Sequence, residues 1–149
     1  MNAGAAFADS ATDSFQVTAT VLEACEVSAD DLEFGDYDPI ALAHVDATGS
    51  LSITCTNGTD YELGLSLGDG AGASNALRYM ERAGGAQLGY TLYQDALRTT
   101  LWGADPGTDT LSGVGDGTPD PIDIFGRIPM QQTAPAGAYE DTIVVTVSW

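Results

Sequence analysis

Residues Ser14–Cys25, SFQVTATVLEAC, decide how the rest of the chain is read. Phe15, Val17, Ala19 and Val21 alternate with Gln16, Thr18 and Thr20, the two-residue period that turns one set of side chains to a core and the other to water. A strand needs a neighbour, because its backbone donors and acceptors must be paired wherever water is excluded. On its pattern alone, this segment would be the first strand of its own domain. Which chain supplies the neighbour is the functional question.

Working outward, the chain of 149 residues is long enough to bury one core, and 44% hydrophobic content with 18 glycines suits a β-rich domain. No run of 18 apolar residues is present, so membrane insertion is not expected. Against 22 Asp and Glu stand four basic residues, all Arg, for a net charge of −18. Such a surface repels phosphate backbones and anionic lipid, which argues against nucleic acid as a partner. A solvated acidic exterior, a saline habitat and divalent-cation binding all remain open as its reason.

Cys25 and Cys55 lie 30 positions apart without C-x-x-C spacing, which gives zinc and redox readings little support. In an exported domain they form one disulfide; in a cytosolic one they would be two buried thiols. Export is favoured by Ala6-Phe7-Ala8, a small-x-small processing pattern. Residues 1–13 are accordingly read as a leader or signal-peptide remnant with a flexible N-terminus.

The remaining pattern is of strands and turns. LEFGDYD supplies extended pieces around Phe34 and Tyr37, and GSLSITCT sets Leu51, Ile53 and Cys55 on one face. Asn57-Gly58 is a strong tight-turn signal, so GSLSITCT and YELGLSL, with Tyr61, Leu63, Leu65 and Leu67 alternating, are expected to form an antiparallel hairpin. LRYMER, LGYTLYQD and TTLW follow as short strands, with Tyr79, Tyr90, Leu92 and Trp102 in the core or its seam. Residues 103–121, rich in Gly, Pro and Asp, are expected to make a long surface excursion. In the closing AYEDTIVVTVSW, Ile143, Val145, Val147 and Trp149 share one face. Many short strands without a helical pattern indicate an antiparallel β-sandwich.

Several motifs, in order, carry a resemblance: FQVTATVLEACEV with its first cysteine, Phe34-Gly35, GSLSITCTNGTDYELGLSLGDG, Tyr90-x-x-Tyr93-x-Asp95, IFGRIP, and Gly137-x-Tyr139-x-Asp141-Thr142 before the last strand. From Phe15 to Trp149 the chain resembles the spore coat protein U domain, the fold of pilin subunits of archaic chaperone-usher pili. The resemblance implies an all-β, incomplete immunoglobulin-like sandwich that lacks a strand and receives it from a neighbouring subunit. Residues 14–24 would be the donor strand and 25–149 the pilin domain. Phe15, Val17, Ala19 and Val21 would enter a groove whose edge is Ile143, Val145 and Val147. Counted as a sixth strand, the closing segment leaves nothing later to cover its outer edge, an aggregation hazard unless something fills it.

The implied partners are identical or related pilin subunits, a periplasmic chaperone and an outer-membrane usher, with an extracellular surface fibre as the product. A shaft subunit is favoured over a tip adhesin, since the chain carries a donor and no added receptor-binding domain. The alternative is a free secreted or self-complemented binding module. Only Glu23 and Ala24 separate the donor from Cys25, too short a hinge for the segment to cross back over its own domain. Without lysine, intramolecular isopeptide bonds of the sortase-pilin kind are closed off.

An enzyme is not expected, and neither is a cofactor. His44 is the only histidine and reads as a loop or edge residue, and no G-x-S-x-G elbow occurs. The Asp-rich loops offer oxygen ligands for calcium but lack the EF-hand order. Asn57-Gly58-Thr59 matches a glycosylation sequon, which its role as a turn explains.

Overall fold

The computed structural model describes residues 8–149, so the processing pattern built on Ala6 and Phe7 lies outside the described residues. Eight strands run in chain order: β1 (Cys25–Ala29), β2 (Val45–Cys55), β3 (Asp60–Leu65), β4 (Arg78–Glu81), β5 (Gln87–Tyr93), β6 (Leu111–Val114), β7 (Asp120–Ile128) and β8 (Val145–Ser148). They form a five-stranded sheet ordered β1-β2-β7-β5-β4 and a three-stranded sheet ordered β6-β3-β8. All pairings are antiparallel.

Alternation accounts for the elements. On β2, Gly49, Leu51, Ile53 and Cys55 face inward while Asp46, Thr48, Ser50 and Ser52 face out. Register with β7, from Val45 opposite Ile128 to Ile53 opposite Asp120, brings Ile124 and Ile128 onto the same inner face. Leu88, Tyr90 and Leu92 of β5 extend that face, and Tyr61, Leu63 and Leu65 of β3 close over it from the other layer. Trp102 is fully buried and donates its indole N–H to the Leu63 carbonyl at 2.9 Å, tying the two layers. The disulfide Cys25–Cys55 joins β1 to the end of β2, with Cα atoms 4.1 Å apart.

The expected Asn57-Gly58 hairpin is not formed. β2 and β3 belong to different sheets, and the turn is a crossover between layers. Its backbone pairs with the chain around Gly115 instead: Gly58 N–H donates to Gly115 O, Gly115 N–H to Thr59 O, and Gly117 N–H to Cys55 O. Residues 103–121 are therefore more than a surface excursion, because they contain β6 and enter β7. The closing strand is the eighth rather than the sixth. Residues 14–24, read as a strand, lie in no sheet among the described residues.

Arg78, rather than its neighbour Tyr79, is the fully buried residue of β4. Its guanidinium donates to the carbonyls of Ser66 (2.9 Å), Leu65 (3.2 Å) and Trp102 (2.7 Å), clamping the exit of β3 to the core. Loss of water around it is the main force lowering its pKa.

Candidate functional site

The feature that stands out is an unfinished layer. β8 pairs with β3 along one edge, with Leu63 opposite Val147 and Leu65 opposite Val145; among the described residues no strand is hydrogen-bonded to its other edge, although β1 of the large sheet comes close to β8. Ile143, Val145 and Val147 pack on the core but are only half-buried, whereas Leu63 and Leu65 beside them are fully covered.

Residues 31–37, which follow β1 and pack on the same core, are the segment read as the opposite bank. Leu32, Phe34 and Tyr37 turn inward and pack against the core while Asp31, Glu33 and Asp36 face water. Two glycines make room for them. A Cβ on Gly49 would stand 3.0 Å from Leu32 Cβ, and one on Gly126 would stand 2.7 Å from Phe34 Cζ. Phe34 then meets the Tyr90 ring edge-on, with centroids 6.0 Å apart. Because Gly49 and Gly126 belong to the inner face of the large sheet, residues 31–37 lie in the same layer as β8. Their backbone makes no bond to another backbone group among the described residues. Apolar side chains seated on the core thus sit beside backbone groups left open to pairing.

Both ends of β8 are fixed. At its head, Asp141 accepts the Tyr90 hydroxyl on Oδ2 at 2.5 Å and the N–H groups of Asp69 (2.7 Å) and Thr142 (2.9 Å) on Oδ1. Burial first, then this bond and the carboxylate charge, push the Tyr90 pKa far up. Ser66 adds two more ties, its N–H to Val144 O and its Oγ accepting Val144 N–H. At its foot, the Trp149 indole N–H donates to Glu23 O at 3.3 Å.

The N-terminal segment is the other half of the geometry. Phe15, Val17 and Val21 are 87%, 86% and 83% exposed. Among the described residues, 14–22 form no backbone-to-backbone pair with the rest of the chain, and none of them carries a charge. Phe15–Val21 and the bank 31–37 are each seven residues long.

With 22 Asp and Glu against four Arg the exterior is strongly acidic, and every arginine is engaged. Arg127 pairs with Asp46, which also faces Arg98; Arg98 lies over the Phe125 ring and binds Gly126 O; Arg82 binds Ala136 O; Arg78 is buried. The Asp46 carboxyl is held below its usual value chiefly by the Arg127 hydrogen bond. The Asp-rich loops are tied internally: Asp109 accepts from Asp105 N–H and the Asn75 amide, and Asp116 caps Thr118. Among the described residues no three His, Cys, Asp or Glu are gathered to hold a metal ion. His44 accepts the Met130 N–H on Nδ1 at an exposed edge.

Of the residues singled out in the sequence, Ile143, Val145 and Val147 are half-buried against the core, the last two on β8, and Cys25 and Cys55 are disulfide-bonded. Phe15, Val17, Ala19 and Val21 stay out in solvent in their own chain. Leu32 and the two floor glycines were not anticipated; the Leu32-x-Phe34 alternation was the available signal.

A model of the Spore Coat Protein U domain family matches residues 11–146. Protein U of Myxococcus xanthus is 37% identical over 156 residues, spanning 95% of this chain and 87% of that protein. Among solved structures, a chain of the CsuC-CsuE chaperone-tip adhesion subunit pre-assembly complex, from the archaic chaperone-usher Csu pili of Acinetobacter baumannii, shares the fold. Its TM-score is 0.66 at 24% identity, over 87% of this chain and 41% of that one.

Proposed function

As the chain belongs to the Spore Coat Protein U domain family, we propose that it is a pilus shaft subunit of the chaperone-usher type that polymerises by donor-strand exchange. Residues 14–24 of one copy enter the groove of the next, with Phe15, Val17, Ala19 and Val21 seated against Ile143, Val145 and Val147. The observation that carries this reading is the coexistence, in one chain, of a half-built layer with free backbone on both banks and an exposed, uncharged, alternating segment of the same length. The leader (1–13), donor (14–24) and sandwich (25–149) divide the chain accordingly.

The energetics are adequate. A strand covering residues 15–21 spans roughly 20 Å. Burying Phe15, Val17 and Val21 contributes about 5–9 kcal/mol before ordering costs, and the backbone bonds to both banks add to it. Ala19 offers little area and marks a shallow point where exchange can begin. Strand addition of this kind takes affinity from the main chain and register from alternate pockets.

Before assembly the groove needs a temporary occupant, a role suited to a periplasmic chaperone, and release at an outer-membrane usher follows. The product is an extracellular fibre for adhesion or biofilm formation. A self-complemented module is disfavoured, since residues 14–22 make no backbone-to-backbone pair in their own sandwich among the described residues.

The test is deletion of residues 1–23, followed by gel electrophoresis in SDS without boiling. Full-length subunits should give a ladder of kinetically stable oligomers. The deleted chain should run as a single band while still capturing its chaperone, and a ladder of normal length from it would refute the donor assignment.

A further inference from the structure

The short link between the N-terminal segment and the sandwich, Leu22–Ala24, is held at all three of its carbonyls and at the Ala24 N–H. Thr56, just past β2, donates its hydroxyl to Leu22 O at 3.0 Å, accepts Ala24 N–H on the same oxygen at 3.0 Å, and donates its own N–H to Ala24 O at 2.9 Å. Trp149 takes the remaining carbonyl, Glu23 O. Three successive carbonyls of an exposed link are thus held by two residues that follow strands of different sheets. An exposed link has no need of this for solubility, because water would satisfy the same groups.

From this arrangement we infer that Thr56 and Trp149 are positioning residues that fix the direction in which the N-terminal segment leaves the domain. Trp149 follows directly on β8, the strand that forms one bank of the groove, while its indole holds the root of the outgoing segment. Filling the groove and fixing the root are therefore coupled. A strand laid along β8 restrains Val145–Ser148, this restrains Trp149, and the link from Leu22 to Ala24 is held more tightly. A subunit that has received a strand presents its own in a more defined direction. This inference rests on the groove reading above, but adds to it two residues that hold the backbone of the link.

The experiment uses the full chain, labelled for NMR, and a synthetic peptide of residues 14–22. Amide exchange at Ala24 reports the root, and exchange at Val145–Ser148 reports the groove. In the wild type, saturating peptide should slow Ala24 exchange about 2- to 10-fold, the range expected when one hydrogen bond is strengthened or lost. In Trp149→Phe, which keeps the ring and removes the donor, the peptide should bind within about twofold of its wild-type affinity yet leave Ala24 unchanged. Thr56→Val should raise Ala24 exchange about 2- to 10-fold without peptide, with native-like spectra elsewhere. Protection of Val145–Ser148 with no effect at Ala24, or an unaltered response in Trp149→Phe, overturns the coupling alone. No protection of Val145–Ser148 overturns the groove reading, and the coupling with it.

Discussion

Val17→Asp separates the fold of the subunit from its assembly. Val17 is 86% exposed and makes no backbone pair among the described residues, so the substitution should leave monomer stability within about 0.5 kcal/mol of wild type. In the groove the same side chain would lose about 1.5–3 kcal/mol of apolar burial. It would also carry a carboxylate into a space flanked by Ile143, Val145 and Val147, where an unpaired charge costs several kcal/mol or takes up a proton. A combined loss of about 4 kcal/mol weakens strand binding about a thousandfold. The assay pairs thermal unfolding of the monomer with titration of residue 14–22 peptides, wild-type and substituted, into the full chain. An equal affinity for the two peptides would refute the reasoning, as would a large fall in monomer melting temperature.

Other outcomes follow from the same structure. Tyr90→Phe should cost about 1.5–3 kcal/mol, the range for a bond to a charged partner, measured by chemical denaturation at pH 7. Because burial and Asp141 raise the folded pKa of Tyr90 above the ordinary 10.0, its contribution is complete below pH 10 and lost as pH climbs past it, so the wild type should lose stability more steeply there than Tyr90→Phe. The Asp46 carboxyl is shifted the other way, so its contribution is complete above the ordinary 3.8 and lost on acidification below it; Arg127→Gln should flatten that acid limb. Replacing both Cys25 and Cys55 by Ala should lower stability by about 3.5 kcal/mol, read from denaturant midpoints. Gly126→Ala should cost about 1–3 kcal/mol by displacing Phe34 from the groove floor, and should weaken peptide binding by calorimetry.

Much of this was legible in the residues because strand faces are written locally. Leu51, Ile53 and Cys55, spaced by two, are all buried, and Val145 and Val147 face the core as their alternation implies. Sheet membership is not a local property. Asn57-Gly58 reads as a hairpin because a tight turn is all that two residues can specify, yet Gly115 and Gly117, some 60 positions on, draw that turn between layers. Arg78 was hidden for a similar reason. Its burial is tolerable only because three carbonyls from Leu65, Ser66 and Trp102 converge on it, and no spacing in the sequence announces that convergence. The groove was half visible: β8 showed its pattern, whereas the bank at Leu32 and Phe34 depends on glycines contributed by β2 and β7.

The most direct measurement is a cryo-electron-microscopy map of the assembled polymer. The account predicts density for residues 14–22 of each copy lying between β8 and residues 31–37 of its neighbour, with Phe15, Val17, Ala19 and Val21 pointing inward. Density for that segment within its own copy, or a groove left vacant in the polymer, would contradict it.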